Sequence, residues 1–375
     1  MSMAFIDLQA QRARIEEQIN AAIAGVLADG RFVMGPPVQA FEDALADFGE
    51  AEHVLSCGNG TDALALALMA VDVGPGDAVF CPGFTFAATA EVVPWFGAQP
   101  VFADIAPETY TMDPGSLRAA IEATIQDGAL TPKAIIAVDL FGQSADYPAL
   151  RAIADAFGLK LIADSAQAFG CSLHGRQPLH WADLTTVSFF PAKPLGCYGD
   201  GGAVLCKDGD MAALIRSLRN HGMGDDRYDN VRIGMNSRLD SLQAAILLEK
   251  LKIFPGEIER RNQIARRYCE ALQDCVASVP VVLAGGVSTW AQFTIEHNDR
   301  DGLAAHLRSC GVPSAIYYPI PLHRQQAYRD FAVAPGELPV CDAKAARVLS
   351  LPMHAWLNED EQDTVIEAIR GYNHR

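Results

Sequence analysis

A lysine and an aspartate lie where two apolar runs end, and together they could act on one bound ligand. Lys193 follows the predicted strand Thr185–Phe189 and precedes glycines at 196, 199, 201 and 202. Asp164 ends the apolar run Leu161–Ala163. A lysine amine can form an imine with an aldehyde, and a carboxylate can keep a pyridine nitrogen protonated. The pair predicts a pyridoxal phosphate (PLP) site in which Lys193 is the catalytic amine.

The predicted role of Lys193 requires an amine that is neutral part of the time. Once substrate displaces it, the free amine can move a proton between the substrate carbon and C4′ of the cofactor, so we expect burial or nearby positive charge to lower its pKa. A loop-capping lysine is the alternative for Lys193, and a helix N-cap is the alternative for Asp164. Gln167 follows Asp164 by three residues and is predicted to reach the 3′-oxygen of the same ring.

A glycine-rich turn supplies the predicted phosphate site. The segment Ser56–Leu64 runs from a strand through Gly-Asn-Gly into a helix. Backbone N–H groups at a helix start bind dianions, so Gly60 and Thr61 are predicted phosphate ligands, and Ser188 could add a hydroxyl. Phe86 is the candidate for stacking on the ring, with core packing as the alternative.

Strands and helical patterns alternate from about residue 52 to 206. The predicted strands are His53–Ser56, Ala78–Cys81, Pro100–Asp104, Ala134–Asp139, Lys160–Ala163, Thr185–Phe189 and Gly202–Cys206, and the helices between them include Thr61–Ala70, Pro114–Thr124 and Tyr147–Phe157. This alternation predicts an α/β fold with a mainly parallel sheet flanked by helices. Ligands of such sheets bind beyond the carboxyl ends of the strands, where Asp164 and Lys193 fall.

A smaller C-terminal domain is predicted from the remaining pattern. An apolar-periodic stretch from Arg238 to Phe254 leads through Pro255-Gly256 into another helix at 257–273, so we place the boundary between a large domain, 1–254, and a small α+β domain, 255–375. Its predicted elements are strands near Val279–Leu283 and Ala291–Ile295, a helix at Asp301–Ser309 and a closing helix after Asp360. The N-terminal helical stretches before and after Gly35-Pro36-Pro37 could pack on this domain.

Bulk composition excludes several classes of protein. The net charge of the 375 residues is −17, which argues against binding to nucleic acid or anionic membranes. Nine scattered cysteines without a CxxC pair predict reduced thiols rather than a disulfide framework or a zinc site. There is no uninterrupted apolar run long enough to span a bilayer and no apolar signal segment near the N-terminus, so we expect a cytoplasmic protein.

Several motifs together resemble one family. These are Gly-Asn-Gly-Thr-Asp-Ala-Leu (58–64), Pro-Gly-Phe-Thr-Phe (82–86), Asp-Ser-Ala-Gln-Ala-Phe-Gly (164–170), Ser-Phe-Phe-Pro-Ala-Lys (188–193), Asn-Ser-Arg-Leu-Asp-Ser-Leu-Gln-Ala-Ala (236–245), Tyr-Pro-Ile-Pro-Leu-His (318–323) and Leu-Ser-Leu-Pro-Met-His (349–354). The chain thereby resembles, over nearly its whole length, the DegT/DnrJ/StrS family of PLP-dependent nucleotide-sugar aminotransferases of fold type I.

The resemblance implies a homodimer with active sites shared between subunits. It implies that Asn236 reaches the cofactor phosphate of the partner subunit and that Arg238 lies near the nucleotide sugar. It also assigns Lys193, Asp164, Gln167, Ser188 and Thr61 to the cofactor, in agreement with the residue-by-residue interpretation. The amino donor that it implies is L-glutamate.

Within the family, the similarity is greatest to aminotransferases acting on UDP-2-acetamido-2-deoxy-3-oxo-glucuronate, enzymes of cell-surface polysaccharide and related amino-sugar biosynthesis. That subgroup tends to have His-Tyr-Pro where this chain has Tyr317-Tyr318-Pro319. The histidine position borders the sugar site, so Tyr317 and Tyr318 are candidate substrate-binding residues. A 4-oxo dTDP- or UDP-sugar is the alternative substrate.

Three other functions remain alternatives at this stage. A sugar dehydratase of the same family typically has histidine at the position of Lys193. A regulatory protein could use the fold without catalysis. A nicotinamide oxidoreductase would account for the G-x-G-x-x-A form of residues 58–63, but the strand Ala78–Cys81 ends without the acid that a ribose needs.

Overall fold

A seven-stranded sheet forms the centre of the computed structural model, which describes residues 3–226 and 228–373. The strands, in chain order and including two short separate pairs, are β1 (His53–Cys57), β2 (Asp77–Pro82), β3 (Gln99–Ala103), β4 (Thr131–Val138), β5 (Lys160–Asp164), β6 (Ser172–Leu173), β7 (Leu184–Ser188), β8 (Gly202–Cys206), β9 (Gly286–Val287), β10 (Phe293–Glu296) and β11 (Val348–Leu351). The order across the central sheet is β1-β8-β7-β5-β4-β2-β3. Only β8 runs against its neighbours, which confirms the predicted mainly parallel sheet.

Helices accompany the strands along the described part of the chain. They are α1 (Leu8–Arg14), α2 (Glu16–Asp29), α3 (Pro36–Phe48), α4 (Gly60–Ala70), α5 (Ala88–Glu91), α6 (Pro114–Asp127), α7 (Tyr147–Phe157), α8 (Gly209–Leu218), α9 (Ser241–Leu272), α10 (Arg300–Ser309), α11 (Pro339–Ala345) and α12 (Glu359–Asn373). Several begin at a side chain that accepts a hydrogen bond from the backbone N–H three residues later, namely Asn59, Asp113, Asp146 and Asp208. Such caps satisfy an N–H group that the helix itself leaves unpaired, so they fix where each helix starts. None of the described helices has the length and apolarity needed to cross a bilayer.

Helix α9 differs from the prediction of two helices separated at Pro255-Gly256. It continues through Pro255 as one helix of 32 residues. Its buried side chains Phe254 and Ile258 lie on either side of the proline and pack into the same cluster. The stabilisation from this packing exceeds the stabilisation lost when the proline removes one backbone hydrogen bond from the helix interior. The proposed domain boundary at 254/255 therefore falls inside a helix, and the domain division stays a prediction.

The C-terminal third forms its own apolar cluster with the second half of α9. Ile264, Tyr268 and Leu272 pack there with side chains from β10, β11, α10 and α12. The predicted strand at Val279–Leu283 is wrong, because that segment is irregular and the nearby strand is the two-residue β9. On the N-terminal side, Gln11 donates a hydrogen bond of 2.8 Å to Glu257 on α9.

Candidate active site

Asp164 lies buried at the carboxyl end of β5, near the middle of the sheet. Its Oδ2 accepts a hydrogen bond of 2.9 Å from the Thr89 hydroxyl, and its Oδ1 accepts one of 3.2 Å from the N–H of Ala166. Burial raises the pKa of Asp164, whereas the Thr89 bond and the charge of Lys193 oppose the rise. The chain does not continue into a helix here, so the helix N-cap alternative for Asp164 is wrong.

Gln167 follows in the same turn and is also buried. Its Oε1 accepts a hydrogen bond of 2.9 Å from the N–H of Phe141, and its Nε2 donates one of 3.0 Å to the hydroxyl of Tyr318. The amide orientation is thereby fixed by one donor and one acceptor. Burial raises the pKa of Tyr318, so this phenol stays protonated at neutral pH.

Lys193 stands in the loop between β7 and β8, close enough to Asp164 for their charges to interact. Burial lowers the pKa of its amine, and the carboxylate of Asp164 counteracts part of that effect. Its backbone N–H donates a hydrogen bond of 2.8 Å to the carbonyl oxygen of Phe190. The lowered pKa of the half-buried Lys193 increases the fraction of neutral amine, which is the property expected of a group that moves protons.

The glycine-rich turn joins β1 to α4 in a tight space. A Cβ on Gly60 would lie 2.7 Å from Cβ of Ser188, and one on Gly202 would lie 2.3 Å from the carbonyl oxygen of Asn59. Glycine at both positions lets the turn approach the ends of β7 and β8. The N–H groups of Gly60 and Thr61 start α4 and have no acceptor within that helix, so they are available to an anion.

Ser237 ties this turn to the segment before α9. Its hydroxyl accepts a hydrogen bond of 2.9 Å from the N–H of Gly58 and lies 2.6 Å from Oδ2 of Asp62, to which it donates. The side chain is almost fully buried. A second buried contact supports the strand before the turn, because Arg219 donates to the Ser56 carbonyl oxygen over 2.7 Å and pairs with Glu42.

Phe86, Tyr317 and Tyr318 form a group of neighbouring aromatic side chains. Phe86 is 57% exposed, so the core-packing alternative for it is wrong. Its ring centre lies 6.3 Å from that of Tyr318. Tyr317 is half-buried and contacts Phe5 of the N-terminal segment at a centroid distance of 6.3 Å.

Asn236 and Arg238 remain apart from the buried group. Asn236 is exposed and pairs through its backbone with Asn220, and Arg238 donates a long hydrogen bond of 3.5 Å to the Asn220 side chain. The segment that carries them is nevertheless held at the glycine-rich turn before α4 by Ser237. Asn236 and Arg238 therefore flank, in the chain, the residue that contacts this turn.

Thr89 and Ser237 are polar contacts that the sequence interpretation did not assign. Ser237 falls inside the motif 236–245 and Thr89 lies three residues after the motif 82–86, but Thr89 is 75 residues away from its acceptor Asp164, and Ser237 is 179 residues away from Gly58. No local pattern could pair them. The available signal was a hydroxyl residue in or directly after each motif.

The residues present fit PLP. A buried carboxylate suits the ring nitrogen, a partly neutral amine suits the aldehyde, and free N–H groups of a turn crowded enough to require glycine suit the phosphate. The nicotinamide alternative does not fit, because the turn follows β1, which is an edge strand paired antiparallel to β8. In dinucleotide-binding sheets that turn follows an inner parallel strand at the switch point.

A model of the DegT/DnrJ/EryC1/StrS aminotransferase family matches residues 13–370. The chain is 48% identical to UDP-2-acetamido-2-deoxy-3-oxo-D-glucuronate aminotransferase of Pseudomonas aeruginosa, over 94% of this chain and 96% of that protein.

Two solved structures share the fold over the full length of this chain. A DegT DnrJ EryC1 StrS aminotransferase from Brucella abortus is 54% identical, with a TM-score of 0.98 and full coverage of both chains. NtdA from Bacillus subtilis, solved with bound cofactor PMP, is 30% identical, with a TM-score of 0.88, and 86% of that chain is covered.

Proposed function

Since the chain belongs to the DegT/DnrJ/EryC1/StrS aminotransferase family, whose sugar aminotransferases use PLP, we propose that it transfers the amino group of L-glutamate to a UDP-3-oxo sugar. The substrate that we propose is UDP-2-acetamido-2-deoxy-3-oxo-glucuronate or a close analogue, because a relative at 48% identity is named for that reaction. The observation that carries the proposal is that the half-buried Lys193 lies close enough to the buried Asp164 for their charges to interact, next to Gln167 and Tyr318.

Asp164 and its hydrogen-bond donors would hold the ring. When bound, PLP supplies a protonated pyridine ring that accepts the electrons left when a substrate carbon loses a proton. The ionised carboxylate keeps that nitrogen protonated, and Thr89 donates to the carboxylate and favours its ionised form. Gln167 is held between Phe141 and Tyr318 by two hydrogen bonds. We propose that it is the partner of the ring oxygen.

Lys193 would be the acid and base. Its lowered pKa provides a fraction of neutral amine, which can accept a proton from one carbon and deliver it to another. The two half-reactions, with glutamate and then with the oxo sugar, use the same amine in turn. Ping-pong kinetics are expected from this order.

The proposed phosphate ligands are the N–H groups of Gly60 and Thr61, the Thr61 hydroxyl and Ser188. We propose that Phe86, which is exposed and neighbours Tyr318, stacks on the ring. We propose that Arg238, Tyr317 and Tyr318 contact the nucleotide sugar. A tyrosine at 317 in place of the subgroup's histidine removes a group that can carry positive charge next to a sugar carboxylate, which keeps a 4-oxo dTDP- or UDP-sugar as the second candidate substrate.

We propose that the enzyme is a homodimer in which each subunit completes the site of the other. Apolar side chains stand exposed beside Asn236 and Arg238, including Val33 and Ile233, the latter at 88% exposure. Val33 pairs with Asp240 directly before α9, so this surface is continuous with the segment that carries Asn236. Exposed apolar surface next to an open site is typical of a subunit interface.

We further propose that the reaction takes place in the cytoplasm. Eight cysteines of the described residues are free thiols, as expected in a reducing compartment, namely those at 57, 81, 171, 197, 206, 269, 310 and 341. Amino-sugar nucleotides of this kind would then serve cell-surface polysaccharide or related biosynthesis.

The proposed function is tested first by its covalent chemistry. Protein incubated with PLP should show a visible absorbance band, which shifts on addition of glutamate, and borohydride should fix the cofactor to Lys193. Lys193→Ala should fold normally and lose turnover, whereas Lys160→Ala, at the exposed start of β5, should keep it. Normal turnover in Lys193→Ala would refute the assignment of Lys193.

The substrate is tested with a panel of 3-oxo and 4-oxo UDP- and dTDP-sugars and glutamate as donor. The proposal expects the highest kcat/KM for a UDP-3-oxo sugar. Tyr317→His should raise kcat/KM for the uronate by about tenfold relative to the matching uncharged sugar, because an imidazolium can pair with a carboxylate. Tyr317→Phe is the control for loss of the phenol alone, and preference for a 4-oxo dTDP-sugar would favour the second candidate.

A further inference from the structure

A second buried lysine contacts the loop that carries Lys193. Lys250 lies on α9 and is 1% exposed. Its Nζ donates a hydrogen bond of 2.6 Å to the carbonyl oxygen of Gly196, three residues after Lys193. The same Nζ lies 4.2 Å from the centre of the Tyr198 ring, a distance at which a cation is attracted to the ring face.

The loop between β7 and β8 folds back on itself at Gly196. A Cβ on Gly196 would lie 2.5 Å from the carbonyl oxygen of Pro191, so the two sides of the loop touch there. The N–H of Cys197 donates a hydrogen bond of 2.8 Å to the carbonyl oxygen of Phe189, which closes the base of the loop. Lys193 lies inside this closed loop, between Phe189 and Gly196 in the chain.

Helix α9 holds this side of the loop through two side chains. Besides the bond from Lys250 to Gly196, the Oε1 atom of Gln243 accepts a hydrogen bond of 2.8 Å from the N–H of Tyr198. Gln243 and Lys250 are seven residues apart, two turns of helix, and so lie on the same face of α9. The part of the loop from Gly196 to Tyr198 is therefore hydrogen-bonded to side chains of a long helix and not left to water.

Burying the charged amine of Lys250 costs desolvation free energy. Burial lowers the pKa of Lys250 to about 8, and the nearby charge of Glu257 and the Cys197 thiol counteract part of that effect. An apolar residue would fill the same space without desolvating a charge. An apolar residue, however, could not donate a hydrogen bond to the carbonyl oxygen of Gly196.

We propose that Lys250 is a positioning residue of the active site, which holds the Gly196–Tyr198 segment so that the amine of Lys193 faces Asp164. This inference rests on the proposed role of Lys193. It goes beyond that role, because Lys250 touches neither substrate nor cofactor in the proposed site. Its function would be to fix the position of the Lys193 amine.

The test that does not depend on activity is hydrogen exchange of the cofactor-free and cofactor-bound full-length protein, followed by mass spectrometry. Lys250→Met removes the donor and keeps the length of the side chain. Exchange in peptides covering residues 192–199 should become about tenfold faster, as expected for loss of a hydrogen bond from a charged donor. Lys250→Arg, which keeps a charged donor that can stack on Tyr198, should exchange like the natural protein.

Lys252 provides a matched control on the same helix. Its side chain is 66% exposed and pairs with Glu249, away from the loop. Lys252→Met should leave exchange at 192–199 unchanged. If Lys250→Met and Lys252→Met give the same exchange as the natural protein, the proposal is overturned. Should Lys250→Met not fold, Lys250→Ala takes its place with the same expected and overturning results.

The catalytic consequence is measured separately. Lys250→Met should lower kcat about tenfold while KM for the sugar nucleotide stays unchanged, because the amine and not the substrate is displaced. Fixation of PLP at residue 193 by borohydride should slow in the same variant. If the protein transaminates no sugar at all, the exchange result still decides whether Lys250 holds the loop, so failure of the positioning role and failure of the proposed function remain distinguishable.

Discussion

Thr89 donates its hydroxyl proton to Oδ2 of Asp164 across 2.9 Å, and both side chains are buried. This single contact opposes the effect of burial, which raises the pKa of the carboxyl group. A neutral Asp164 could not compensate the charge of a protonated pyridine. Thr89 therefore helps to keep the acid in the form that the proposed chemistry needs.

Thr89→Val should weaken PLP binding and lower kcat by about tenfold, because a hydrogen bond to a charged group is lost. The measurement is cofactor affinity by absorbance titration, together with steady-state kinetics at saturating PLP. Thr186→Val is the matched control, since Thr186 is equally buried and bonds the carbonyl oxygen of Ala163 rather than Asp164. Equal losses in both variants would mean that packing, and not the bond to Asp164, is responsible.

Ser237→Ala should act on the phosphate end of the site. The change leaves the N–H of Gly58 and the carboxylate of Asp62 without their shared partner, so the turn before α4 should loosen. We expect the dissociation constant of PLP to rise about tenfold and kcat at saturating PLP to change little. Ser309→Ala, on the exposed end of α10, is the control and should bind PLP normally. A kcat defect that excess PLP does not relieve would contradict this division of roles.

The strands around the site could be predicted because apolar runs end at turn residues. The carboxyl ends of β5 and β7 were placed within one residue, and these ends carry Asp164 and Ser188. The glycines that let the turn at Gly60 approach β7 were also recognisable, because such turns need residues without a Cβ. The pattern of apolar residues in a sequence indicates which segments are buried, and the bounds of β5 and β7 depend mainly on that burial.

The contacts that tune the site could not be predicted, because each joins distant parts of the chain. Thr89 meets Asp164, and Lys250 meets Gly196, only after the sheet order and the path of α9 are set. Helix α9 itself was divided at Pro255 by a local rule that packing of Phe254 and Ile258 overrides. The predicted strand at Val279–Leu283 failed for the related reason that an apolar run does not guarantee a partner strand.

Asp139 provides a pH test of a group behind the site. Its carboxylate accepts hydrogen bonds from the Ser165 hydroxyl and from the N–H of Ala145, and burial raises its pKa to about 7. Between about pH 4 and 7 the folded state therefore holds a proton that the unfolded state has lost, so this group makes the free energy of unfolding fall as pH rises through that range. Above pH 7 its contribution is constant.

Asp139→Asn should remove that dependence. The melting temperature of the natural protein minus that of the variant should fall between about pH 4 and 7 and then level off. Asp47→Asn, an exposed position on α3, is the control and should give a difference that does not vary with pH in this way. A flat difference for Asp139→Asn would show that the carboxyl group is ionised throughout.

A defined heterodimer decides whether the active sites are shared. Lys193→Ala removes the amine, and Asn236→Ala removes the residue proposed to reach the phosphate of the other subunit. Chains carrying the two changes would be co-expressed with different tags, and the mixed dimer would be isolated by two affinity steps.

If Asn236 acts across the interface, one site of that heterodimer carries both changes and the other carries neither. The heterodimer should then have about half the activity of the natural protein, while each parent homodimer is nearly inactive. If Asn236 acts within its own chain, both sites are damaged and the heterodimer stays as inactive as the parents. The exposed position of Asn236, on the same surface as apolar Val33 and Ile233, favours the first result, because an exposed side chain on an apolar surface can reach the site of a second subunit that packs there.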